Sequence, residues 1–281
     1  MIESKTEVTT DAVALHYDEL DHFYRDIWGE HVHHGLWLTG RESPERAVVQ
    51  LAELVAREAA IGPGTRVCDV GCGYGATARL LAREHGADVT AITVSPAQHR
   101  FAIESQAESD NPRYVLCDWL ENDLPAGNFD AVIAIESSEH MADKAAFFAE
   151  AWRVLRPGGR CVVCAWLAKE NASAFENRFA LEPVCREGRM PGMGTEMDYR
   201  RLIESAGFRF GSYQDLTRRV KKTWPICAMR FLGGLCRNPA YARFLFNRHR
   251  QNRIFAVTML RIWIAYNTGT MRYGIFTANK P

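Results

Sequence analysis

The chain has 281 residues, 47% of them hydrophobic, enough to bury one large core or a core with a smaller cap. Lys+Arg and Asp+Glu both number 34, so the net charge is zero and no chain-wide basic footprint points to nucleic acid. No apolar run approaches the roughly eighteen residues of a membrane span, and the polar start Met1-Ile2-Glu3-Ser4-Lys5 lacks the apolar segment of a secretion signal, so a cytoplasmic protein is expected.

Residues 11–29 read as an amphipathic helix with Leu15, Tyr17, Leu20, Phe23, Tyr24 and Ile27 as its apolar set, closed by Gly29. His31-Val-His-His-Gly35-Leu-Trp37 follows as a loop rich in rings. Its histidines lack carboxylate or cysteine partners at ligand spacing, so no metal is expected and the loop reads as packing against a lid. Ser43-Pro44 starts a second helix over 44–59, with Ala47, Val48, Leu51, Leu54 and Val55 on one face. Residues 1–60 are therefore expected as a helical lid.

Strands and helices then alternate. Strands are predicted at 65–70, 88–94, 113–117, 129–135 and 160–166, and helices at 76–85, after Ser95-Pro96-Ala-Gln98, and at 143–155. Ser95 to Gln98 has the capping-box pattern with proline at the first helical position. Arg156-Pro157-Gly158-Gly159 reads as a turn into the fifth strand. Apolar strands separated by helices of this length imply a parallel sheet covered on both faces.

Beyond residue 169 a helix over 195–206, a strand over 208–216 and a last strand over 272–278 are expected. Between them Trp224, Phe231, Phe244, Phe246, Phe255, Trp263 and Tyr266 fall in helical patterns and suggest an aromatic cap over an apolar pocket. The basic groups Arg218-Arg219-Val220-Lys221-Lys222 and Arg248 to Arg253 read as solvated faces. Eight cysteines are present, and Cys161-Val-Val-Cys164 lies mid-strand without a partner pair, so it reads as core rather than as metal or redox site.

Chemistry is expected just past the strand ends, because open parallel sheets bind ligands there. Val67 to Gly75 ends a strand in Asp69 and continues as Gly71-x-Gly73-x-Gly75. Glycine permits a sharp turn and close approach to a ligand. This is not the dinucleotide spacing, and the position that would hold an acid for the ribose is Thr93, so an NAD-dependent oxidoreductase is disfavoured. No phosphate-loop lysine motif occurs.

Val67 to Gly75 resembles the first motif of S-adenosylmethionine-dependent methyltransferases, and Leu155-Arg-Pro-Gly-Gly159 resembles another of their signatures. Ile27 to Gly35, Ile92 to Gln98, Glu136 to Met141, Trp152 to Trp166 and Arg272 to Pro281 sharpen the resemblance toward the γ-tocopherol methyltransferases and their bacterial small-molecule relatives. Thr93 is usual in that branch. The resemblance implies a Rossmann-like, doubly wound, mostly parallel seven-stranded α/β sheet with an antiparallel final strand. It further implies a cofactor-binding core over 61–168 and an aromatic cap with the closing strands over 169–281.

It implies S-adenosylmethionine as cofactor, S-adenosylhomocysteine as product and no metal. Asp69, Gly71, Gly73 and Gly75 would serve the methionine part, Thr93, Val94 and Gln98 the ribose and adenine, and Asp118 and Trp119 the adenine. Ile135 and Glu136 would lie near the sulfonium, with Tyr24 also on the cofactor side. Tyr17, Trp37, Trp166 and Trp224 would meet the substrate. Glu136-x-x-Glu139-His140 resembles a segment at the substrate amine of alkaloid N-methyltransferases, which makes His140 and Glu136 the candidate base or orienter.

The expected reaction is methyl transfer to a hydrophobic small molecule in secondary metabolism. Carbon is favoured over nitrogen or oxygen of an alkaloid-like or phenolic acceptor. The competing reading is a cofactor-binding cyclase or interaction protein that transfers no methyl group. A homo-oligomer is compatible with the detachable N-terminal helix.

Overall fold

The computed structural model describes residues 1–106, 109–246 and 255–281. The basic run at 248–253 and the side chains of Phe244, Phe246 and Phe255 lie outside the described residues. Nine strands are described: β1 Ile2–Glu3, β2 Arg66–Val70, β3 Asp88–Thr93, β4 Arg113–Leu116, β5 Phe129–Ile135, β6 Leu155–Ala168, β7 Gly192–Met193, β8 Arg209–Asp215 and β9 Met271–Asn279. Seven form one sheet in the order β4-β3-β2-β5-β6-β9-β8, parallel except at β9, which runs antiparallel to both neighbours. β1 and β7 pair separately as a two-stranded ribbon that the sequence patterns did not foretell.

The helices are α1 Thr10–Trp28, α2 Pro44–Glu58, α3 Ala76–His85, α4 Pro96–Glu104, α5 Lys144–Val154, α6 Ala174–Glu176, α7 Glu182–Glu187, α8 Glu196–Ser205, α9 Thr217–Val220, α10 Thr223–Arg237, α11 Pro239–Phe246 and α12 Phe255–Thr268; a π-helical turn, Asn177–Leu181, joins α6 to α7. Local chemistry sets their ends. Ser43 and Ser95 cap α2 and α4 with proline in the first turn, and Thr195 with Asp198 forms a full capping box on α8. At α4 the box is only half made: Ser95 accepts from the Gln98 amide, but the Gln98 side chain turns away and accepts from Thr93 Oγ1.

Side chains of successive strand residues alternate between two cores. Val67, Ala131, Ile133 and Ile135 join Leu51, Leu81 and Ile262 on one face, whereas Cys68, Val132 and Ala134 join Phe147, Phe148 and Tyr199 on the other. Cys161 and Cys164 fall on opposite faces for the same reason. The turn expected at 156–159 is instead an irregularity within β6: Phe129 pairs with Leu155, Ala131 with Arg160, and Gly158 takes φ +77° in the slack.

The chain moves from β2 outward to β3 and β4, then crosses back to β5 on the other side of β2. This reversal opens a crevice at the carboxyl ends of β2 and β5, where the glycine turn sits. Gly75 caps α3 at φ +76°, and a Cβ there would lie 2.5 Å from the Tyr114 hydroxyl oxygen. Gly75→Ala should therefore lower stability by roughly 2–3 kcal/mol, with partial recovery on adding Tyr114→Ala. An unchanged urea midpoint for Gly75→Ala would refute the packing account.

Candidate active site

The three glycines of the turn do different jobs. A Cβ on Gly71 would meet Ser137 Cβ at 2.3 Å, and Gly75 is closed by Tyr114, as above. Gly73, at φ +55°, faces open space with only Gln98 at 4.0 Å. Gly73 is thus the position where the backbone can approach a ligand.

Around this turn lies a slot in three joined sections. The inner chamber is lined by Asp69, Gly71, Gly73, Cys72, His31, His33 and Thr77. The middle section adds Ile92, Thr93, Val94, Gln98, Trp119, Ile135, Glu136, Ser137 and His140. The outer section is bounded by Thr10, Val94, Cys117 and Asp118. Asp69 is 2% exposed, and its Oδ2 has no hydrogen-bond partner. Burial raises its carboxyl to about 7. An orphaned carboxylate oxygen beside open glycine backbone fits a cationic amino group.

A second cavity of about 340 Å³ lies beneath the cap. Tyr24, Trp28, Trp166, Trp224, Met259 and Ile262 give it an apolar wall, and Tyr17, Val32, Glu136 and His140 line both it and the slot.

Glu136 stands at φ +56° just past β5, in a conformation costly for a residue with a Cβ. Its carboxylate accepts four hydrogen bonds. Oε1 accepts from the His34 backbone N (2.7 Å) and the Tyr273 hydroxyl (2.8 Å), and Oε2 from His34 Nδ1 (2.9 Å) and Trp166 Nε1 (2.8 Å). The Trp224 indole N–H can only donate, and it reaches His34 Nε2 at 2.8 Å, so the proton of His34 sits on Nδ1, facing Glu136. Burial acts to raise the Glu136 carboxyl, but His34 and the other donors outweigh it and bring it to about 2. Glu136 is therefore ionised and saturated, a fixed charge rather than a waiting base.

His140 differs. Its Nδ1 donates to the Arg189 carbonyl (3.1 Å), which leaves Nε2 to accept from the Tyr17 hydroxyl at 3.0 Å. Burial lowers its pKa to about 4, so the ring is neutral at physiological pH with a lone pair toward Tyr17. Glu139 also lines the cavity beneath the cap, and burial raises it to about 7 against the hydrogen bond from the Trp166 amide (2.6 Å).

The structure relocates several expected residues. Tyr24 lines the cap cavity rather than the slot, with its hydroxyl 3.1 Å from His16. Trp37 lines neither cavity: it is buried with its indole N–H on the Glu42 carbonyl and Lys222 over its ring. Trp119 is 1% exposed and gives only an edge to the slot, its indole bonding the Phe147 carbonyl. Asp118 sits at the outer section with both oxygens engaged, by Thr10 (2.5 Å) and by the Leu120 amide (2.9 Å). Sequence pattern gives His34 and Tyr273 no place in the site, and marks Glu139 only as a member of the Glu136-x-x-Glu139-His140 segment. The signal available for the first two was the need of any buried carboxylate for donors. His31 and His33 hydrogen-bond each other at 3.2 Å, and no cluster of three metal-ligating side chains occurs among the described residues.

A parallel sheet reversed at β2, an open glycine at the turn and a slot ending on an orphaned aspartate define an S-adenosylmethionine-binding methyltransferase. The chain belongs to the mycolic acid cyclopropane synthetase family, whose sequence profile matches residues 4–235. It is 29% identical to the chloroplastic tocopherol O-methyltransferase of Arabidopsis thaliana, over 99% of this chain and 84% of that one. It is also 29% identical to the 27-O-demethylrifamycin SV methyltransferase of Amycolatopsis mediterranei, over 98% of this chain and 99% of that one. Among solved structures, the [4+2]-cyclase SpnF superposes with a TM-score of 0.81 at 25% identity, covering 100% and 99% of the two chains. The chain is an S-adenosylmethionine-dependent methyltransferase acting on a hydrophobic small molecule.

The depressed His140 pKa gives a test of the geometry. In the unfolded chain the ring takes a proton near 6.5, but in the folded chain not until about 4. Stability from this group is thus present above pH 6.5 and lost as pH falls toward 4, by about 3 kcal/mol in all. His140→Asn should flatten this part of the stability curve in urea titrations at pH 4 to 7. A parent-like slope in the variant would show that His140 is not buried as described.

Proposed function

We propose that the hydrophobic acceptor sits in the 340 Å³ cavity and that His140, with Tyr17, receives the proton it gives up on methylation. The single observation behind this reading is the shared wall: Tyr17, Val32, Glu136 and His140 face both the slot and the cavity. When bound, S-adenosylmethionine supplies an electrophilic methyl group on a positively charged sulfur. Gly73 lets the backbone close on its methionine part, and Asp69 meets the amino group. Thr93, Val94 and Gln98 border the ribose, Asp118 the adenine end, and Ile135 the sulfur.

The protein's contribution is alignment and a dry wall, which can supply up to about 7–11 kcal/mol. Glu136 orients Trp166 and His34 along the cavity and places a fixed negative charge beside the sulfonium. Tyr24, Trp28, Trp166 and Trp224 enclose the acceptor and exclude water. The Tyr17 hydroxyl can take a proton from the acceptor as it passes its own to His140 Nε2.

The low basicity of His140 favours carbon as the nucleophile. A base of pKa about 4 is too weak to ionise a phenol of pKa about 10 before attack. It is strong enough to remove the acidic proton left on a carbon that has just been alkylated.

Incubation with S-adenosylmethionine and phenolic, isoprenoid and polyketide acceptors should yield a methylated product and S-adenosylhomocysteine in equal amounts. Gly73→Val should abolish cofactor binding. His140→Asn and Tyr17→Phe should lower turnover by about 10²-fold or more at near-parent cofactor affinity. Product without S-adenosylhomocysteine, or unchanged turnover in both variants, would overturn the assignment.

Asp69 gives an independent readout. Its raised pKa means it is largely protonated at pH 6, and pairing with a cationic amino group should ionise it. Calorimetry at pH 6 in buffers of different ionisation enthalpy should show proton release on cofactor binding, lost in Asp69→Asn. No buffer dependence would remove Asp69 from the cofactor's amino group.

A further inference from the structure

The zero net charge conceals a division. All 34 acidic residues lie in residues 1–215, whereas residues 216–281 contain thirteen lysines and arginines and no aspartate or glutamate. Charge asymmetry of this size between parts of one chain points to a polyanionic surface as partner.

The structure shows what becomes of these cations. Arg230 and Arg261 are taken up by Glu45 and Glu187 from elsewhere in the fold, and Lys280 by the backbone carbonyls of Trp152 and Leu155. Arg218, Arg219, Lys222, Arg237 and Arg243 are exposed, and none has an ion-pair partner among the described residues.

The same segment exposes large apolar side chains. α10 and α12 pack together, and each lines the acceptor cavity from within through Trp224, Met259 and Ile262. Each is apolar on its outer side too: Met229, Leu232, Val257, Leu260, Trp263 and Ile264 are between 42% and 63% exposed. Phe175 on α6 and Phe179 on the π-helical turn that packs against α12 are 70% and 55% exposed with their rings 4.7 Å apart. A helix with apolar side chains on two sides belongs in a core or against lipid, and here the outer side has no cover among the described residues.

We propose that the described part of the cap, residues 217–246 and 255–268, docks peripherally on an anionic lipid bilayer. Its arginines and lysines meet the headgroups, and the outer residues of α10 and α12 enter the acyl boundary. Uncovered apolar side chains in the same segment as cations without ion-pair partners suit a lipid interface, whereas a nucleic-acid backbone offers nothing to the apolar set. If the methyl-transfer reading holds, the same docking presents the acceptor cavity to molecules dissolved in the bilayer.

Co-sedimentation with phosphatidylcholine vesicles, alone or with about a third phosphatidylglycerol, tests this on the full chain. Binding should require the anionic lipid and weaken with salt. Arg237→Glu with Arg243→Glu should cut the partition about tenfold or more, and Met229→Ser with Leu260→Ser should cut it further, both with parent-like melting. Equal partition onto both vesicle types, or none, would overturn the proposal. So would binding that soluble poly-L-glutamate displaces fully and that the serine changes leave unaltered, since this would mark an acidic protein as the partner. Cofactor affinity measured without vesicles should not move in any variant, so failure here leaves the methyl-transfer reading untouched.

Discussion

The Glu136 carboxylate ties the molecule together. It is buried just past β5, and its four donors come from the loop after α1, from β6 and from β9, with α10 added through the Trp224–His34 bond. Taking a carboxylate out of water costs several kcal/mol. Four hydrogen bonds to a charged acceptor, at about 1.5–3 kcal/mol each, are enough to offset that and the positive φ together. Removing one donor would leave charge uncompensated in a dry site, so lid, sheet and cap are held to one geometry by a common requirement.

This coupling explains which parts of the site were legible in the sequence. Glu136, His140, Gly73 and Asp69 sit in short segments whose spacing carries information, at strand ends that apolar runs reveal. His34 and Tyr273 become part of the site only through contacts across 102 and 137 residues, and nothing local to them announces it. Trp37 illustrates the converse. It shares a ring-rich loop with His34, but three residues further on the chain has turned, and the Glu42 carbonyl and Lys222 claim it. Element positions followed local pattern closely. The length of β6 did not, because pairing of Leu155 with Phe129 of β5 starts the strand before the glycine pair and pairing with β9 carries it on to Ala168.

The charge distribution shows a similar limit of whole-chain numbers. A balanced total is compatible with even mixing or with complete separation, and this chain separates. The separation has a structural counterpart, because every acid lies no later than the end of β8 while the segment after β8 supplies two cavity-lining helices and the last strand. One segment thus carries both part of the cap cavity's wall and a concentration of thirteen of the chain's cations.

The two buried acids of the Glu136-x-x-Glu139 segment divide their roles by environment. Glu136 has its four donors and is held ionised near 2, whereas burial and the neighbouring charge of Glu136 bring Glu139 to about 7. Between them and the slot, His140 is kept neutral by burial and aimed by the Arg189 carbonyl. The proposed reaction, in which one proton is accepted beside a cationic sulfur, is served by a fixed anion that does not titrate and a neutral base that does. His140 closes the short turn Ser138–His140, which begins two residues past Glu136, so a single stretch of backbone sets their separation. The strain at Glu136 is then the local cost of turning a strand end so that both side chains face the same wall.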